Sequence, residues 1–203
     1  MPRIAPLPPE QLQQNAEVWD LLGEMEKLAG FIPNSYATLA RRPGTLRALA
    51  GLAREVMGPG EIPEELKALV AFVSSSAAGC RFCQAHTSKT AHLRNASAER
   101  IAAAFEYETS PLFSPAERAA LALARDASIL PNAVTDAHFD ELERYYSDDQ
   151  KVELLAVISF FGFMNRWNDS AGTELEKPSL EFADAVLRPL GWDPGHHARV
   201  END

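Results

Sequence analysis

Apolar residues in this chain recur every three or four positions, and no stretch sustains the period-two alternation that a half-buried strand needs. That pattern restricts the chain to helices. Residues 11–29 set Leu12, Val18, Leu21, Leu22 and Met25 on one face, with Gly30 as a C-cap before an Ile32-Pro33-Asn34 turn. Further helices are predicted over 35–41, 43–57, 63–78, 81–93, 98–105, 115–128, 135–145, 147–171 and 178–187. Their starts carry chemical signals: Pro43 and Pro115 at first helical positions, Glu64-Glu65 in a first turn, and Ser97, Ser114 and Ser147 as caps. Gly58-Pro59-Gly60 and Gly79 mark breaks. The expected fold class is all-α, and 203 residues suit a single domain spanning 1–203.

The helices show an internal echo. At an offset of 85 residues Ala68 falls on Glu153, and Leu69-Val70-Ala71-Phe72-Val73-Ser74 lies over Leu154-Leu155-Ala156-Val157-Ile158-Ser159. The same register sets Cys80 over Asn165 and Cys83 over Asn168. Two tandem helical repeats are therefore predicted, about 43–93 and about 115–171, packed as facing halves of a bundle.

Charge narrows the function. Nineteen Lys and Arg against 29 Asp and Glu give a formal −10, which argues against a nucleic-acid or anionic-membrane partner. The most apolar stretch, 154–164, is well short of the ~20 residues of a membrane-spanning helix, and the proline-rich start lacks the apolar run of a signal peptide. A cytoplasmic protein is expected. In such a reducing compartment a close cysteine pair serves catalysis or metal binding more often than it forms a structural bridge.

The only two cysteines are Cys80 and Cys83, at a predicted helix start. At i and i+3 they share a face and can close a small disulfide ring. Three features favour a thiolate: the helix N-terminus, the nearby Arg81, and His86 one turn past Cys83 as a base. A structural zinc site would want a second ligand pair, and haem attachment would need a histidine where Gln84 stands. Two inert buried thiols are the plainer alternative.

These residues carry a family likeness. AAGCRFCQAHTSKTA, preceded by ELKALVAFVSS, resembles the alkylhydroperoxidase D-like and carboxymuconolactone decarboxylase superfamily, in its peroxidase-related branch. FIPNSYATLARRPGTLRAL, SPAERAALALARDAS and VELLAVISFFGFMNRWNDSAGTELE extend the resemblance over most of the chain. It implies an alkylhydroperoxidase D-like helical bundle and a homo-oligomer. It also implies an antioxidant thiol peroxidase that reduces hydroperoxides through a Cys80/Cys83 dithiol–disulfide cycle, reopened by a dithiol protein reductant. No cofactor or metal is implied. By the family's order Cys83 would be attacked first and Cys80 would resolve, whereas position alone favours Cys80. Redox members carry a relay glutamate twelve residues before the first cysteine, where this chain has Ala68. Glu65, one turn earlier, or Glu153, from the facing repeat, would have to supply that carboxylate. The expected catalytic set is thus Cys80, Cys83, His86 and Glu65. A non-redox decarboxylase-like enzyme and a redox sensor without turnover are the alternatives.

Other polar groups read as structural. Asn165, Arg166, Trp167, Asn168 and Asp169 look like a helix-end hydrogen-bond set, and Phe160, Phe161 and Phe163 like core or oligomer interface. Asn34 and Tyr36 read as turn residues, and His196-His197 as part of a flexible tail.

Overall fold

In the computed structural model, which describes residues 2–198, eleven α-helices and no strand occur among the described residues. They are α1 (Pro9–Leu12), α2 (Ala16–Ala29), α3 (Asn34–Leu39), α4 (Pro43–Met57), α5 (Glu64–Ala77) and α6 (Arg81–Leu93). The second half holds α7 (Ala98–Ala103), α8 (Pro115–Ser128), α9 (Asp136–Glu143), α10 (Asp148–Ala171) and α11 (Lys177–Val186). The caps behave as their chemistry dictates. Ser97, Ser114 and Ser147 accept from the third backbone N–H of α7, α8 and α10, and the last two form full capping boxes. The helix expected over 11–29 is split, because the Asn15 side chain accepts from the Val18 N–H at 3.2 Å and starts α2 afresh.

α5 is the axis of the molecule. Every residue from Leu66 to Ser75 is buried, so this helix has no solvent face and is packed by α6, α8 and α10 together. A charge carried on such a buried helix needs a partner. Lys67, 1% exposed, donates to the Gly58 carbonyl at 2.7 Å and ion-pairs Glu153 of α10. Glu153 also accepts from the Glu61 and Ile62 N–H groups at 3.0 and 3.2 Å. Lys67 and these N–H groups outweigh the burial penalty on the Glu153 carboxyl and hold it below its ordinary range. Its partners make Glu153 an interhelical clamp.

The 85-residue register has a structural consequence. Where α5 ends, Gly79 turns the chain at φ 76°, and α6 begins anew at Arg81. Only glycine takes such a left-handed turn at little cost. The corresponding stretch around Met164 lies inside α10, which runs unbroken to Gly172. One long helix thus stands where the first half has two helices and a helix start between them.

The C-terminal segment is anchored. After α11 the chain makes two 3-10 turns, Arg188–Leu190 and Gly195–His197, and the second packs on α6. Trp192 is 3% exposed and His197 fully buried, while the Leu175 N–H donates to the His197 carbonyl at 2.9 Å. The expectation of a flexible tail at His196-His197 is corrected accordingly: buried rings and a backbone tie fix this part. Residues 199–203 lie outside the described residues.

Candidate active site: a buried dithiol

Cys80 is the N-cap of α6. Its backbone is extended, with φ −80° and ψ 101°, and its Sγ accepts the Cys83 N–H at 3.4 Å, as a serine oxygen would in an ordinary cap. The Gly79 turn aims Cys80 into the protein, so both sulfurs are buried, at 1% and 2% exposed, and both are free thiols. Cys83 meets the second half of the molecule: the Asn168 amide of α10 donates to its sulfur at 3.5 Å and to the Met164 carbonyl at 3.0 Å.

The imidazole beside the thiols comes from the C-terminal turn. His197 Nδ1 is 2.7 Å from the Thr173 carbonyl, which only accepts, so Nδ1 carries a proton. Nε2 sits 3.6 Å from Asp169 Oδ1, and the ring also interacts with Cys80. Burial opposes charge on His197, but Cys80, the Thr173 carbonyl and Asp169 together raise its pKa above the ordinary value. The two thiols are driven apart. The Cys83 thiol, which donates to the Cys80 sulfur, is the main cause that lowers the Cys80 pKa to about 6; burial opposes it, and His197 and the Cys83 N–H reinforce it. Burial, and then the neighbouring Cys80 sulfur, push Cys83 well above the usual thiol range. Electrostatically, Cys80 is the thiolate and Cys83 the neutral partner.

The residues expected around the dithiol are distributed differently. His86 Nε2 is 2.7 Å from Glu176 Oε2, at the start of α11, and the Asn34 N–H donates to the other Glu176 oxygen. The His86 ring stacks on Phe82 at 4.3 Å, and Phe82 in turn faces His197 at 5.8 Å. His86 therefore reaches the site through Phe82, with its own nitrogen committed to Glu176. Glu65 lies elsewhere: it pairs with Arg100 at 3.2 Å, and Arg100 also bonds Glu117 of α8. Neither Glu65 nor the clamped Glu153 is brought to an imidazole; the carboxylate on His86 is Glu176. Sequence reading missed Glu176 and His197, because each reaches the site from a distant, non-periodic turn. Asn34, taken for a turn residue, is also the hydrogen-bond donor that orients Glu176.

A cleft of about 720 Å³ runs along α10, lined among others by Ala78, Ile158, Asn165, Arg166 and Asp169; neither cysteine lines it. Asn165 is 3% exposed, and neither its amide nitrogen nor its oxygen has a hydrogen-bond partner among the described residues. The polar run at the end of α10 therefore borders the thiols and the cleft together.

Comparison with known proteins agrees with this architecture. Residues 43–126 match the model of the carboxymuconolactone decarboxylase family. A structure of the debrominase Bmp8, a cysteine-to-alanine variant in complex with 2,3,4-tribromopyrrole, is 36% identical, with a TM-score of 0.83 over 90% of this chain and 96% of that one. The chain belongs to the carboxymuconolactone decarboxylase family. The core of a peroxidase-related alkylhydroperoxidase D protein from Ralstonia eutropha JMP134 superposes with a TM-score of 0.77 over 89% of this chain and 95% of that one. At 23% identity it shares the fold. The uncharacterized protein YnjA of Escherichia coli K12 is 34% identical over 91 residues, 45% of this chain and 50% of that protein. The chain thus spans about half the length of this curated relative. Family and fold agree with the sequence reading, and the fragment around Cys80 with the helix before it, residues 65–91, falls inside the matched region.

Proposed function

We propose that the protein is a dithiol oxidoreductase that reduces hydroperoxides and cycles Cys80 and Cys83 between dithiol and disulfide. The observation that carries this reading is the asymmetric sulfur pair. The Cys80 sulfur takes an N–H bond at a helix start and faces the His197 imidazole, while Cys83 waits one turn on, held by Asn168. The Cys80 thiolate attacks the distal oxygen of the peroxide. The O–O bond breaks, Cys80 becomes a sulfenic acid, and the alkoxide leaves as an alcohol after protonation by the His197 imidazolium. Cys83 then attacks the Cys80 sulfur, the S–O bond breaks, and water leaves. Two thiols and one hydroperoxide give a disulfide, an alcohol and water, and an external dithiol protein reopens the ring. In this scheme Cys80 attacks and Cys83 resolves, the order that position alone favours. His86 and Glu176 position the Phe82 ring against His197.

A second substrate class is favoured by one observation, the 36% identity to a debrominase over 90% of this chain. The same thiolate can attack the bromine of a bromopyrrole. The carbon takes a proton, sulfur carries the bromine, and Cys83 displaces bromide to give the same disulfide. The electron count is identical: two thiols oxidised, one C–Br bond reduced to C–H. Free-thiol counting separates the two. One equivalent of a hydroperoxide is expected to consume both thiols of the reduced protein within a single turnover. Loss of thiols only with a bromopyrrole would transfer the assignment to dehalogenation. An unchanged count with both would overturn the redox reading.

A further inference from the structure

We propose that Asp169, His196 and His197 form a binding site for a divalent transition-metal ion of the Zn²⁺ type, held by Asp169 Oδ1 and the two imidazole Nε2 atoms. The three donor atoms lie within 4.8 Å of one another. His196 Nε2 stands 3.3 Å, and His197 Nε2 3.6 Å, from the same Asp169 oxygen. Zinc bonds to nitrogen and oxygen of about 2.0–2.2 Å, opened to a tetrahedral angle, put neighbouring ligand atoms about 3.3–3.5 Å apart. Two of its sides are therefore already close to coordination size. Two imidazoles and a carboxylate suit borderline metals rather than calcium or magnesium.

The independent observation is the state of His197. Its ring is fully buried, yet Nε2 has no hydrogen bond of acceptable geometry among the described residues. The Thr173 carbonyl fixes Nδ1 as the protonated nitrogen and so turns the Nε2 lone pair toward Asp169, the outer-shell arrangement that orients a metal-binding histidine. Asp169 and His196 are about half exposed, which leaves an approach from solvent and room for water as a fourth ligand.

The location gives the site a consequence, which rests on the proposed dithiol function. The His197 ring also interacts with Cys80. A bound ion occupies Nε2 and sets a cation against the ring that meets Cys80. Metal occupancy thus acts as a reversible brake on Cys80.

Untagged, reduced, chelator-stripped protein titrated with Zn²⁺ against a chromophoric chelator tests the site. One ion per chain is expected, with affinity about tenfold or more weaker in Asp169→Asn and in His196→Gln. His138→Gln, in a separate pair with Asp126, is expected to bind as the parent does. No binding up to about 100 µM Zn²⁺, or equal affinity in all the variants, would overturn the site. In the second arm, Zn²⁺ is expected to slow alkylation of Cys80 in the parent and not in His196→Gln. Binding without that slowing would keep the metal site and overturn the brake. Neither arm needs peroxide turnover, so failure of the proposed reaction is told apart from failure of the site.

Discussion

Two cysteines three residues apart become chemically unlike because only one of them caps a helix. Cys80 collects the Cys83 thiol, the Cys83 N–H and His197, while burial and the Cys80 sulfur hold Cys83 in its neutral form. Alkylation of Cys80, measured with a chelator present, is expected to follow a pKa near 6: flat above pH 7 and falling about tenfold per unit below 6, as the thiolate is protonated. In the same assay His197→Gln is expected to move the midpoint upward, toward the ordinary thiol range, and His86→Gln to leave it nearly in place. The reverse ranking would restore His86 as the thiol's base. The dithiol itself was legible from spacing, since a Cys-x-x-Cys pair at a glycine-marked helix start has few other uses. The base was not. Helical periodicity points to His86, but a residue more than a hundred positions along the chain supplies the nearer ring, and no local pattern signals such long-range closure.

At the scale of elements, caps and breaks were readable because they are local chemistry. α6 runs from Arg81 to Leu93 as expected, and Ser114-Pro115-Ala116-Glu117 forms the capping box its sequence spells. The exception near Gln13 has an equally local cause, in the Asn15 cap. What sequence could not show is which charges are used up inside the bundle. Glu65 and Glu153 both read as available carboxylates, yet one joins α5 to Arg100 and the other clamps a buried lysine. Glu153→Ala would leave Lys67 buried beside only a carbonyl and unpaired backbone N–H groups. A loss of about 3 kcal/mol of unfolding free energy is expected, measured by urea titration. A change below about 1 kcal/mol would mean that the pair is solvated and not a clamp.

At the scale of the whole molecule, the all-helical bundle follows from apolar spacing, and α5 shows why the core had to be central: ten successive residues without a solvent face. No described helix is long and apolar enough to cross a membrane. Several large apolar side chains still face outward, among them Leu52 on α4, Leu130 after α8, and Val152 and Phe163 on α10. We propose that these side chains belong to an association surface between copies of the chain. Light scattering coupled to size exclusion is expected to give a multiple of the 22.3 kDa chain mass, and Phe163→Glu to lower it. A 22.3 kDa species at micromolar concentration would remove the homo-oligomer from the account.

The central claim is that Cys80 attacks and Cys83 resolves. Its most direct measurement uses Cys83→Ser protein, reduced, treated with one equivalent of hydroperoxide, captured with a sulfenic-acid reagent and mapped by mass spectrometry. Stoichiometric capture on Cys80 is the expected result. An unmodified Cys80, together with capture on Cys83 in the Cys80→Ser protein, would contradict it.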